Sequence, residues 1–150
     1  MKKSAGILMY KRSGHELLLL LVHPGGPFWA KKDFGAWSIP KGEYEEGEDP
    51  LTVAKREFEE ELGAELRGEF WELGELVQPS RKVVTAWALE GDFDPRSLKS
   101  NTFELEWPPK SGRRQAFPEV DRAEWFARAD APRKILPGQS GFIDRLLARL

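Results

Sequence analysis

The chain contains no cysteine. That excludes a disulfide scaffold, a thiolate metal site and a cysteine nucleophile, and it fits a reducing compartment, so a cytoplasmic location is expected. Long apolar runs are also missing. The longest, Leu17–Val22, falls far short of the roughly 20 residues that span a bilayer, and no membrane partner is expected. Met1-Lys2-Lys3 and Ser4–Tyr10 faintly resemble a signal peptide, but Lys11-Arg12 cuts the stretch short and no small-residue cleavage site follows. Histidine is scarce. His15 and His23 read as loop residues, and no histidine-based catalysis is needed. Repeats and low-complexity segments are absent, and no Pro/Gly/Ser stretch divides the chain. Its 150 residues therefore read as one domain, residues 1–150, of a size that buries about 68–70% of its unfolded surface without a disulfide or structural metal. With 40% hydrophobic and 32% charged residues, it is too apolar to be disordered.

A large net charge is lacking too, at −2. The distribution is nonetheless uneven. Gly42–Glu65 carries ten acids against Lys55 and Arg56, a local −8, which leaves +6 for the remainder. A concentrated carboxylate segment in a mildly basic frame suits a metal ion and a small polyanion better than direct nucleic-acid binding, and no nucleic-acid partner is expected.

Ser4–Tyr10 and Glu16–Val22 are short, apolar and separated by Lys11-Arg12-Ser13-Gly14-His15, which reads as two strands of a hairpin. His23–Ala36 reads as a loop, and Trp37-Ser38-Ile39 as a short strand ending at Pro40-Lys41-Gly42. Glu43–Pro50 is acidic and turn-like. Asp49 has the character of an N-cap, with Pro50 at the first helical position, and the helix runs to Leu62 before Gly63 ends it. Val83–Leu89 and Phe103–Trp107 read as strands, and Trp125-Phe126 as a short one. A terminal helix, Gly141–Leu150, places Phe142, Leu146, Leu147 and Leu150 on one face. The order predicts an α/β fold, a mixed sheet covered by helices on both faces.

On the central helix Glu60 and Glu61 follow Glu57 by three and four residues, so the three carboxylates share an arc. That arc borders the apolar stripe of Leu51, Ala54, Phe58 and Leu62, where a helix meets a cleft. Like charges at these spacings cost roughly 0.2–0.5 kcal/mol per pair on a bare helix, so something positive should offset them. Most acidic runs are merely solvated faces, but the border position counts against that reading here. Oxygen donors without histidine or cysteine point to Mg²⁺ or Mn²⁺ rather than zinc.

The surrounding residues, Gly42, Glu48, Arg56-Glu57, Phe58, Glu60-Glu61, Gly63 and Ala64, resemble the signature of the Nudix hydrolases. Only Ala64 departs, being smaller than the apolar residue the family usually has. The lead-in Trp37-Ser38-Ile39-Pro40-Lys41-Gly42 is similar to the Trp-x-x-Pro-Lys-Gly of Nudix enzymes acting on dinucleoside polyphosphates. Pro118-Glu119-Val120 with Trp125-Phe126 resembles the family's late strand.

The resemblance implies an α/β/α sandwich with a catalytic loop–helix–loop. It implies that the Gly42 carbonyl and the side chains of Glu57, Glu60 and Glu61 hold Mg²⁺ or Mn²⁺, with Glu48 and Arg56 as an internal brace. Glu60 is the first choice for general base. Glu104, Glu106 and Glu119 are the loop alternatives for a base or a further metal ligand. Lys41, Lys82, Arg81 and Arg113 are candidates for phosphate contact, and Phe28, Trp29, Trp87, Trp107 and Phe117 for base stacking. The expected activity is hydrolysis of a diphosphate bond in a nucleotide, foremost a dinucleoside polyphosphate and next a nucleoside triphosphate. A binding module without turnover usually lacks one or more of these glutamates, and none is lost here. The partner is a small nucleotide, and the chain is expected as monomer or homodimer.

Overall fold

Alternation along the first two strands sorts their side chains onto opposite faces of one sheet. In the computed structural model, which describes residues 1–150, β1 (Lys3–Ser13) and β2 (Glu16–Pro24) pair antiparallel through a tight turn at Gly14. Ile7, Met9, Leu20 and Val22 face one core, while Leu8, Tyr10, Leu19 and Leu21 face the other. Burial on both faces explains why these strands read as nearly continuous apolar runs.

The remaining strands are β3 (Lys41–Tyr44), β4 (Phe70–Val77), β5 (Val83–Glu90), β6 (Thr102–Glu106), β7 (Arg114–Pro118) and β8 (Val120–Ala127). The main sheet runs β4-β5-β1-β2-β8, with β3 pairing the start of β1. Only β1 and β5 are parallel; every other pair is antiparallel. β6 and β7 form a separate hairpin. The helices are α1 (Pro50–Leu62), the single turn α2 (Ala131–Lys134) and α3 (Ser140–Arg149). α1 lays Ala54, Phe58 and Leu62 on one core, and α3 lays Phe142, Ile143 and Leu146 on the other. The α/β/α sandwich with a mixed sheet is therefore the observed fold. Burying a side chain such as Phe58 contributes about 1.5–3 kcal/mol relative to leaving it exposed.

The ends of α1 form as their residues dictate. The Asp49 carboxylate accepts from the Thr52 amide at 3.0 Å and from its hydroxyl at 2.7 Å. Gly63 adopts the left-handed conformation at φ 80° and its amide donates to the Glu59 carbonyl.

Several boundaries differ from the sequence reading. Trp37-Ser38-Ile39 makes only isolated bridges, to Val22 and Ile135, because Pro40 has no amide to continue a ladder. The strand lies instead at Lys41–Tyr44, inside what reads as the acidic turn, because Gly42 and Glu43 pair with Ala5 and Ser4 of β1. β4 was not anticipated: its bulge beside Gly74 breaks the alternation. Trp125-Phe126 belongs to an eight-residue strand. His23 is no loop residue. It is fully buried on β2, bonded to the Asp121 carboxylate at 2.8 Å and to the Lys32 carbonyl at 2.7 Å. Leu150 lies beyond α3 and is exposed.

Candidate active site

β3 and α1 meet at Gly42. A side chain there would fall on Cδ and Cγ of Glu57, so glycine is what lets the helix glutamate lie against the strand backbone. The contact opens a cleft of about 360 Å³ lined by Ser4, Lys41, Gly42, Glu43, Glu57, Glu61, Asn101 and Glu119. None of these is hydrophobic. Four carboxylates and one ammonium therefore share one polar cavity between β1, β3, α1 and the approach to β8.

Electrostatics there oppose full ionisation. Glu61 is only 9% exposed, and its Oε2 has no hydrogen-bond partner. Burial, then the neighbouring Glu57, pushes its carboxyl up to about 9, against the pull of Lys41. Glu57 is raised as well, by burial first and by Glu60 next. Burial raises Glu119. The Lys41 ammonium is lowered by burial in spite of Glu61. A buried carboxylate oxygen without a partner costs free energy that a bound cation would recover. The donor set is all oxygen, with the Gly42 backbone held against Glu57, and such a set suits a hard divalent cation. No three acidic groups converge on one point.

Glu60 stands apart from this lining. It is exposed, with Oε1 4.0 Å from Arg56 Nε. Arg56 Nη1 also lies 3.5 Å from Glu48 Oε2, and Glu48 Oε1 accepts from the Glu45 amide at 2.8 Å. Arg56 thus ties the helix to the loop that precedes it. Of the loop acids, only Glu119 enters the cleft. Glu104 pairs with Arg114 at 3.2 Å, and Glu106 accepts from the Lys110 amide, both out on the exposed β6–β7 hairpin.

The basic candidates divide similarly. Lys41 lines the cleft, and Lys82 reaches its rim, 3.9 Å from Glu43 Oε1. Arg81 sits outside the lining in a turn at φ 67°, and Arg113 lies in the hairpin loop. Among the aromatics, Trp87 packs on the α1-side core and Trp29 on the other. Phe103 and Phe117 pair at 6.0 Å, and the exposed Phe28 meets Trp107 edge-on at 5.5 Å. Ser4, Glu43 and Asn101 were missed as site residues. Glu43 sits in the acidic segment, but nothing local in the sequence marks Ser4 or Asn101.

The family model described as NUDIX domain matches residues 1–146. No curated protein sequence matches the chain. Among solved structures, a Caenorhabditis elegans (C. elegans) Ap4A hydrolase in a binary complex superposes with a TM-score of 0.68 at 19% identity, covering 97% of this chain and 96% of that one. The NUDIX domain of Shewanella oneidensis NrtR, complexed with ADP ribose, gives 0.64 at 15% identity, over 98% and 86%. A mutT/nudix family protein from Listeria innocua gives 0.62 at 13%, over 99% and 92%. At these identities the likeness is one of fold, and the family rests on the model that matches nearly the whole chain: this protein belongs to the NUDIX domain family.

Proposed function

We propose that this chain hydrolyses the polyphosphate bridge of a dinucleoside polyphosphate, within the pyrophosphohydrolase activity on nucleotides that the family carries. The observation that carries the reading is the cleft itself. Burial raises Glu57, Glu61 and Glu119 there, Glu61 to about 9, and one oxygen of Glu61 lacks any partner. Glu57, Glu61 and the Gly42 carbonyl would hold the divalent ions, Mg²⁺ or Mn²⁺, with Glu60 joining from the rim. Ions bound there would offset phosphate charge and make a water more acidic.

The chain's own residues supply the rest. Glu119 lines the same cavity as Glu57 and Glu61, from the residue just before β8, and is raised by burial, the disposition of a general base. It replaces Glu60 as the proposed base, since Glu119 lines the cavity and Glu60 lies outside that lining. Lys41 offers an ammonium to a phosphoryl oxygen. The preference for a dinucleoside polyphosphate is supported by the Trp37-Ser38-Ile39-Pro40-Lys41-Gly42 lead-in and by a fold shared with a protein whose name is Ap4A hydrolase.

A panel of dinucleoside polyphosphates and nucleoside triphosphates, incubated with Mg²⁺ and resolved by product chromatography, tests the reading. Turnover is expected with Mg²⁺ and none in EDTA. Undiminished turnover after exhaustive chelation overturns the metal site. Glu119→Gln is expected to lower kcat about 10²- to 10⁴-fold while leaving Mn²⁺ affinity close to wild type. A collapse of Mn²⁺ affinity instead makes Glu119 a metal ligand.

A further inference from the structure

Asn101 occupies the cleft for a reason that the fold does not require. Its main chain does the structural work. The Asn101 amide donates to the Glu60 carbonyl at 2.8 Å, and its carbonyl accepts from the Glu119 amide at 2.9 Å. The neighbours complete the splice: the Lys99 amide donates to the Leu62 carbonyl at 3.1 Å, and the Val120 amide to the Ser100 hydroxyl at 3.0 Å. The Glu119 carbonyl then receives the Gly25 amide at 2.9 Å. A run of main-chain bonds thus joins the loop at Gly25, the acid at Glu119 and the helix at Glu60, with Asn101 in the middle. Any non-proline residue at position 101 makes those bonds.

The side chain is left over. It is exposed and lines the same cavity as Glu57, Glu61 and Glu119. Around that cavity the side chains are four carboxylates, which accept, and three groups able to donate: Lys41, Ser4 and Asn101. Once cations satisfy the carboxylates, the phosphoryl oxygens not bound to metal still need donors. Lys41 and Ser4 approach from β3 and β1; Asn101 approaches from the α1–β8 splice. An amide on that wall donates without adding charge to a crowded site.

We propose that the Asn101 carboxamide is a substrate-binding residue, donating a hydrogen bond to a non-bridging oxygen of the polyphosphate. It rests on the polyphosphate reading above, and its position next to Glu119 sets the phosphate beside the proposed base.

The test uses Asn101→Ala, Asn101→Gln and the isosteric Asn101→Asp, with inorganic tripolyphosphate in Mg²⁺ as the calorimetric probe and nucleotide turnover measured alongside. Loss of one hydrogen bond to a charged group predicts about 10- to 100-fold weaker tripolyphosphate binding in Asn101→Ala, with KM rising more than kcat falls. Melting temperature should stay within about 2 °C, because the main-chain bonds remain, and Mn²⁺ affinity should be unchanged. Asn101→Asp should bind tripolyphosphate worse than Asn101→Ala, since a carboxylate cannot donate and repels phosphate. Asn101→Gln, which keeps the amide, should recover part of the loss. Wild-type binding in Asn101→Ala, or Asn101→Asp binding as well as wild type, overturns the proposal. Tripolyphosphate binding that depends on Asn101 in a protein that turns over no nucleotide would sink the hydrolase reading and leave this one standing.

Discussion

At the scale of single residues, the cleft is a study in postponed ionisation. A carboxyl whose folded value is raised is favoured protonated in the folded state, so its stability contribution is complete below the unfolded value, near 4.3 for Glu. That contribution is lost as pH rises towards the folded value, about 9 for Glu61. The metal-free protein is therefore expected to lose melting temperature steadily between about pH 5 and 9. Glu61→Gln should flatten that slope and stabilise the metal-free form at neutral pH, while lowering kcat at least about 10²-fold. Scanning calorimetry in EDTA across the range checks the first claim; a flat wild-type profile refutes it. Gly42→Ala is the complementary case. Its new methyl would displace Glu57 and block the backbone approach, so Mn²⁺ affinity should fall at least tenfold with the fold intact, read by titration calorimetry.

At the scale of elements, legibility followed the range of the determining interactions. α1 was readable to the residue because Asp49, Pro50 and Gly63 fix its ends locally. Helical spacing places Glu57, Glu60 and Glu61 on one arc, but only Glu57 and Glu61 line the cleft, while Glu60 lies beside Arg56. β4 and β7 were not readable, since Gly74 and a surface rich in polar side chains disguise strands that pairing alone defines. His23 looked like a loop residue because its partners, Asp121 and Lys32, come from separate segments. Asn101 had no signal at all: what brings it to the cleft is a set of main-chain bonds to Glu60 and Glu119. Gly63 sits where local and distant constraints meet. It is left-handed, and a Cβ there would lie 2.8 Å from Lys99 Cβ and 2.9 Å from its carbonyl. Gly63→Ala should cost more than the roughly 1 kcal/mol of a left-handed alanine, because the Lys99–Asn101 splice must also shift. Urea unfolding measures the loss, and a cost under about 0.5 kcal/mol would mean the splice yields freely.

At the scale of the whole molecule, charge separation favours a long polyanion. The chain is nearly neutral, yet Gly42–Glu65 holds −8 and the rest +6. Cations held by Glu57 and Glu61 would offset the first. The second remains for phosphates further along, at Lys41 inside the cleft and Lys82 at its rim. A nucleoside triphosphate has fewer phosphates to reach those cations, whereas a tetraphosphate bridge with a second nucleoside spans more of them. Contacts remote from the reacting phosphorus position it, so their binding energy appears in kcat/KM. Diadenosine tetraphosphate is therefore expected to exceed ATP and dGTP in kcat/KM at one Mg²⁺ concentration. Its advantage should shrink as ionic strength shortens the Debye length from about 10 Å at 0.1 M towards about 3 Å at 1 M. Lys82, half-exposed and 3.9 Å from Glu43, is screened most, so Lys82→Ala should flatten the salt dependence. Lys41→Ala, at a more enclosed site, should lower kcat/KM for the tetraphosphate more than for ATP at every salt concentration. A triphosphate preferred by tenfold or more, or a preference that survives Lys41→Ala intact, rejects the dinucleoside assignment and leaves a Nudix pyrophosphohydrolase of shorter substrates.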